Sequence, residues 1–157
     1  MYLINKKQEH LYRPNVGCVM LKNDGIFVAK RVGYDTDAWQ MPQGGVDKDE
    51  NLEEALFREL LEEIGTNNVT IIKESTYNRY YKVPKIVTTQ VWGGKYIGQK
   101  QKWFLVKFNG EDEEINIHTA NPEFEEWKWS SAEDTIRQAV FFKKDIYTDV
   151  LSEFGIY

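Results

Sequence analysis

Three glutamates, Glu59, Glu62 and Glu63, fall in the stretch GGVDKDENLEEALFRELLEEIGT, residues 44–66. At about 100° per residue on a helix, Glu62 lies about 60° to one side of Glu59 and Glu63 about 40° to the other, so the three share one face. Leu60, Ile64, Phe57 and Leu61 fall between about 100° and 200°, which predicts an apolar stripe docked on the core and a carboxylate cluster pointing away from it. Like charges three and four residues apart on a helix repel by roughly a few tenths of a kcal/mol per pair. Hard divalent cations such as Mg²⁺ or Mn²⁺ take oxygen ligands and would neutralise the cluster. A solvated acidic face, with Arg58 pairing to its neighbours, is the other reading of the same residues. Gly44 and Gly45 tilt the balance towards a ligand, because a double glycine permits a tight turn and close approach of backbone to a bound group.

These residues need elements to hold them. Asn51 is a good N-cap and Glu54 follows three residues later, so a helix is predicted over 51–64, with Gly65 ending it. Strands are predicted at 15–21 and 26–30, joined by the turn Asn23-Asp24-Gly25, and the stretch 33–50 reads as loop. Further strands are predicted at 69–74, 77–83, 86–92, 101–108 and 124–129. In the fourth of these five, Trp103, Leu105 and Lys107 alternate with Phe104, Val106 and Phe108. Residues 109–122 read as loop, and two helices are predicted at 131–139 and 142–154. No Pro- or Gly-rich linker interrupts the 157 residues, so one mixed α/β domain over 1–157 is expected, with 1–11 as an N-terminal segment.

Composition narrows the function. Twenty Lys and Arg against 25 Asp and Glu give a net charge of −5, which argues against coating long nucleic acids. The acidity is local, however. Residues 47–63 carry eight acids against Lys48 and Arg58, a net of −6, so the rest of the chain is +1. Arg13, Arg31, Lys100, Lys102, Lys143 and Lys144 in that remainder are available for phosphates. No apolar run approaches the length of a membrane span, and Met1 to His10 lacks the apolar core of a secretory signal. Cys18 is the single cysteine, so no internal disulfide forms and a reducing cytoplasm is the expected compartment.

The stretch 44–66 resembles the Nudix box, G-x5-E-x7-R-E-U-x-E-E-x-G-U with U aliphatic. Gly44, Glu50, Arg58, Glu59, Leu60, Glu62, Glu63 and Gly65 match in register, and Thr66 stands where an aliphatic residue is usual. The resemblance implies a three-layer α/β/α sandwich around a mixed β-sheet, and water attack on phosphorus in a nucleoside diphosphate linked to another group. It implies Mg²⁺, with Mn²⁺ as a substitute and two or more ions when substrate is bound. The implied metal set is Gly44, Glu59, Glu62, Glu63 and Glu123. Arg58 is implied as an orienting partner for a box carboxylate, with Glu50 in the same network.

Segments outside the box extend the likeness: YRPNVG (12–17), WQMPQGG (39–45), IGQKQKWFLVKF (97–108), NPEFEEWKW (121–129) and FKKDIY (142–147). Together they resemble the bacterial RNA 5′-pyrophosphohydrolases and the related asymmetric diadenosine tetraphosphate hydrolases, and do not separate the two. By that resemblance Glu123 binds a metal or acts as general base, and Arg13 and Arg31 contact phosphate. Gln40 and Gln43, beside Gly44 and Gly45, touch phosphate or ribose. Lys100 and Lys102 meet the polyphosphate, and Phe142 stacks on a base. Tyr77, Tyr80 and Tyr81 are weighed as contacts to a second base and read as sheet packing. The implied partners are a nucleotide or 5′-triphosphorylated RNA, with no membrane. A Nudix-fold module that binds or senses a nucleotide without catalysis is the alternative, although such modules usually lack box carboxylates and here all are present.

Overall fold

Strand β1 (Tyr12–Lys22) is the spine of the sheet in the computed structural model, which describes residues 6–33 and 37–157. Residues 1–5 of the N-terminal segment and 34–36 of the 33–50 stretch lie outside the described residues. Along one edge β1 runs parallel to β7 (Gly98–Phe108), in register from Tyr12↔Gly98 to Leu21↔Lys107. Its other edge is shared. β2 (Gly25–Arg31) pairs with its far end through the Asn23-Asp24 turn, and β4 (Gln43–Gly45) pairs with its beginning as Asn15↔Gly45, Val16↔Gly44 and Gly17↔Gln43. Between them β3 (Trp39–Gln40) pairs with β2. The stretch read as loop therefore contains two short strands that fill the gap where β1 and β2 diverge. Their pairing was hard to see because two- and three-residue strands leave no periodicity.

The outer edge of β2 pairs antiparallel with β8 (Phe124–Ser130), and the outer edge of β7 takes β5 (Val69–Glu74) and β6 (Arg79–Lys82). One parallel pair among antiparallel ones makes the sheet mixed. Side-chain alternation builds a core on each face. Val16, Cys18, Met20, Phe27, Ala29, Phe104, Val106 and Phe108 face helix α1 (Leu52–Ile64). Val19, Ile26, Val28, Trp103 and Leu105 face helix α4 (Lys144–Glu153), which contributes Ile146, Tyr147, Val150 and Leu151. The result is the three-layer α/β/α sandwich. No described helix is long and apolar enough to cross a membrane.

Two expectations are corrected. Residues 86–92 are predicted as a strand, but Lys85–Trp92 is helix α2. Pro84 opens it, its carbonyl accepting from the Val87 and Thr88 amides, and Gly93 at φ 59° closes it. The β-branched preference is weak where Ile86 and Val91 are exposed and no sheet neighbour packs on them. The second correction concerns α1. Ala55, Leu56, Leu60, Ile64 and Glu63 are its buried residues, while Leu61 is 53% exposed. The buried arc is thus rotated towards Leu56, and Glu63 sits inside it rather than on an outer acidic face.

Candidate active site

Helix α1 is fixed at both ends. The Asn51 side chain accepts from the Glu54 amide at 2.8 Å and donates to the Glu54 carboxylate at 2.7 Å. Gly65 closes the helix at φ 75°, a conformation other residues adopt only with strain. Against the middle of the helix, at Arg58 and Glu59, lies β4, seated on β1. The Cys18 amide of β1 donates to Pro42 O, and the Met41 amide to the buried Tyr147 hydroxyl of α4, so the sheet and the α4 layer both hold this turn. A Cβ at Gly44 would overlap the Glu59 carboxyl, and one at Gly45 would overlap the Arg13 guanidinium. A side chain at either position would have to displace one of these two charged groups.

Arg58 is the hub of the acidic stretch. Its Nε donates to Glu50 Oε2 at 2.7 Å and its Nη2 to Glu50 Oε1 at 2.9 Å and to Gly45 O at 2.8 Å. Its Nη1 donates to Glu59 at 2.9 Å and to Glu62 at 3.2 Å. Arg58, with the Asp47 amide as a second donor, holds the Glu50 carboxyl down to about 2. Glu62, in contrast, is 59% exposed.

Deeper in, the electrostatics reverse. Glu63 is buried, and burial first, then the charges of Glu59 and Glu123, push its carboxyl well above the usual range. Glu63 Oε2 is buried without a hydrogen-bond donor among the described residues. Burial also raises Glu59, with Arg58 opposing. Glu123 lies at the start of β8 and meets Arg31 Nη2 at 3.0 Å, the Val32 amide donating to the Glu123 carbonyl. Lys143 completes this corner. It is buried, and burial together with the Arg31 charge pushes it down to about 7, against the pull of Glu63.

An all-oxygen donor set with one orphaned buried oxygen and mutual repulsion fits a hard divalent cation. Among the described residues no three carboxylate, imidazole or thiolate groups converge as a finished cage. Glu62 is drawn to Arg58 and Glu123 to Arg31.

The other wall is built of amides. Gln101 donates to Asn15 at 2.8 Å and to Gln43 at 3.2 Å, and accepts from the Trp103 indole at 3.1 Å. Gln43 donates to the Tyr81 hydroxyl at 3.4 Å, which Gln99 also reaches. Asn15 Nδ2 and Gln99 Oε1 remain buried without partners. Burial pushes the Tyr81 phenol up to about 12, and its ring lies near parallel to Phe142 at 6.3 Å between centroids. Phe142 is half-buried against the α4 core, and Gln40 is buried on β3.

The structure thus gathers Gly44, Gly45, Arg13, Gln43, Arg58, Glu59, Glu62 and Glu63 around α1 and β4, with Arg31, Glu123 and Lys143 on the flank of Glu63. It sends Lys100 and Lys102 elsewhere: Lys100 pairs with Glu9 at 2.7 Å and Lys102 with Glu74 at 3.3 Å. Alternation along β7 puts the two lysines on the α1 face with Phe104, where Glu9 and Glu74 engage them, while Gln99 and Gln101 share the other face with Trp103. Tyr80 donates to Glu9, and Tyr77 to Asp149. The amides Asn15, Gln99 and Gln101 escaped the sequence reading. The alternation in GQKQK was the available signal, but it did not say which face mattered.

The model of the NUDIX domain matches residues 11–150. The chain is 50% identical over 152 residues to an RNA pyrophosphohydrolase of Wolbachia sp. subsp. Drosophila simulans, covering 95% of this chain and 93% of that one. It is 44% identical over 154 residues to an RNA pyrophosphohydrolase of Rickettsia conorii, covering 96% of each. Among solved structures, the E. coli dihydroneopterin triphosphate pyrophosphohydrolase superposes with a TM-score of 0.70 at 17% identity, covering 88% of this chain and 96% of that one. A C. elegans Ap4A hydrolase superposes with a TM-score of 0.63 at 20% identity, covering 91% and 99%. At those identities the two structures speak to the fold.

Proposed function

The chain belongs to the Nudix family of hydrolases, which cleave pyrophosphate linkages, and on that premise we propose that it converts the 5′-triphosphate end of RNA to a monophosphate. Dinucleoside polyphosphates such as diadenosine tetraphosphate are a second substrate in this reading, and the cytoplasm is where both are met. The carrying observation is Glu63: a buried carboxylate with an orphaned oxygen, faced by Glu59 and Glu123, at the foot of a glycine turn.

Glu59, Glu62, Glu63 and Glu123, with the Gly44 backbone, would hold Mg²⁺ or Mn²⁺, two or more ions with substrate, and such ions would acidify water and stabilise charge on the leaving phosphate. The chain's own residues supply the rest. Arg58 keeps Glu59 and Glu62 oriented while Glu50 and the Gly45 carbonyl fix Arg58 itself. Arg13, over the Gly45 backbone, and Arg31 take phosphate oxygens through forked contacts. A phosphate on Arg31 competes with Glu123, which frees that carboxylate to take a metal or accept the proton of the attacking water. Gln43 meets phosphate or ribose, and Phe142 supplies a stacking ring.

Incubation with 5′-triphosphorylated RNA tests the reading. Release of pyrophosphate or phosphate with a 5′-monophosphate RNA product, dependent on Mg²⁺ and abolished in Glu62→Gln, is the expected result. Nucleotide binding with no phosphate release under saturating Mg²⁺ contradicts it and favours a sensing module.

A further inference from the structure

The chain has five arginines, and four of them are held by carboxylates: Arg31 by Glu123, Arg58 by Glu50 and Glu59, Arg79 by Asp149 and Glu153, and Arg137 by Asp134. Arg13 differs. Among the described residues it makes no ion pair, although it lies over the Gly45 backbone and its charge reaches Glu59. What holds it is a ring: its guanidinium carbon lies over the Trp92 indole, 6.0 Å from the ring centroid. Trp92 is half-buried at the end of α2, and its own place is fixed. Gly93 and Gly94 follow at φ 59° and 79°, and both amides donate to Thr88 O. The Lys95 amide donates to Trp92 O at 3.1 Å and the Ile97 amide to Leu11 O at 2.9 Å, which ties the turn after α2 to the residue before β1. Tyr96 backs the indole edge-on, with centroids 6.0 Å apart and planes at 88°.

We propose that Trp92 is a positioning residue that holds Arg13 ready for the phosphate chain without neutralising it. The inference rests on the reading of Arg13 as a phosphate contact and adds the residue that sets it. An arginine paired with a carboxylate must break that pair before it takes a phosphate, as Arg31 must with Glu123. A cation over an aromatic face is attracted by the ring quadrupole, so no acceptor is spent on its N–H groups and the guanidinium fork stays open to phosphate oxygens. A long side chain left free in water also has rotamer freedom to lose on binding, and a ring that restricts it beforehand lowers that cost. The turn at Gly93 and Gly94 gives the ring its rigidity, since two successive residues at positive φ suit glycine and strain other side chains. Helix α2 thus has a task in the site: it carries the indole to the start of β1, where Arg13 leaves the sheet.

The test is a double-mutant cycle in steady-state kinetics over Trp92→Ala and Arg13→Ala, on 5′-triphosphorylated RNA and on diadenosine tetraphosphate, with Trp92→Tyr and Trp92→Leu beside it. Trp92→Ala is expected to raise KM about 2- to 30-fold with kcat little changed. In Arg13→Ala protein the same substitution is expected to change KM by less than about twofold, because the cation it positions is gone. Trp92→Tyr is expected to restore most of the loss, and Trp92→Leu, which keeps apolar bulk without a π face, none of it. If Trp92→Ala does not fold, the tyrosine and leucine variants carry the same comparison in both Arg13 backgrounds. An equal KM penalty with and without Arg13 marks the ring as a substrate contact in its own right and overturns the proposal. Leucine serving as well as tyrosine marks plain packing and overturns it too, as does a fall in kcat at constant KM. Wild-type protein inactive on both substrates overturns the phosphate reading of Arg13, and the role of Trp92 with it, so the two failures are told apart by the wild-type rates.

Discussion

Arg58 and Glu50 form a two-point ion pair, Nε to Oε2 at 2.7 Å and Nη2 to Oε1 at 2.9 Å, that aims the rest of the guanidinium at Glu59 and Glu62. Geometry of this kind supports chemistry at one remove. Glu50→Gln is expected to lower kcat about 10–100-fold with little change in KM, as for other residues that orient metal ligands. The pair also sets an acid limit. Glu50 ionises at about 2 against an ordinary 4.5, so its contribution to stability is complete above pH 4.5 and is lost as pH falls towards 2. The melting-temperature gap between wild type and Glu50→Gln is therefore widest near neutrality and closes near pH 2. A gap unchanged between pH 7 and pH 3 contradicts the pairing.

Glu63 has the opposite sign. Its folded-state pKa is raised, so the stability it contributes when protonated is lost as pH rises from the ordinary 4.5 through the raised value. At neutral pH the burial of this carboxyl is a cost. Glu63→Gln is expected to raise the melting temperature of metal-free protein, by about 2–4 °C for each kcal/mol relieved, while turnover is lost. Mg²⁺ should raise the wild-type melting temperature and not that of the variant. Thermal scans with and without the ion check both; a variant less stable than wild type without metal refutes the burial argument.

Gly44 and Gly45 separate two effects. Gly44→Ala places a methyl group in the Glu59 carboxyl and should lower kcat, whereas Gly45→Ala displaces Arg13 and should act mainly through KM. Steady-state kinetics on one substrate distinguish them, and identical profiles for the two variants contradict the separate roles.

Much of this was legible in the residues because local chemistry and burial agreed. The Asn51 cap, the Gly65 stop, the hairpin at Asn23-Asp24-Gly25 and the two-faced strand ending in Phe108 are each specified within a few positions. The box spacing likewise brought Glu59, Glu62 and Glu63 onto one helix. Tertiary context decided what local pattern could not. A wheel cannot know that Glu63 is buried, since the arc that docks depends on where β1 and β4 lie. Ile86 and Val87 looked like a strand until the connection from β6 to β7 required a short helix. Lys100 and Lys102 looked available for phosphate until Glu9 and Glu74, distant in sequence, paired with them.

The most direct measurement is a side-by-side determination of kcat/KM on 5′-triphosphorylated RNA and diadenosine tetraphosphate, with Mg²⁺ present or chelated and every product identified. The account predicts Mg²⁺-dependent conversion of the RNA to its 5′-monophosphate, with the RNA preferred over the dinucleotide. Cleavage of the dinucleotide alone, or RNA conversion that persists in chelator, would contradict it.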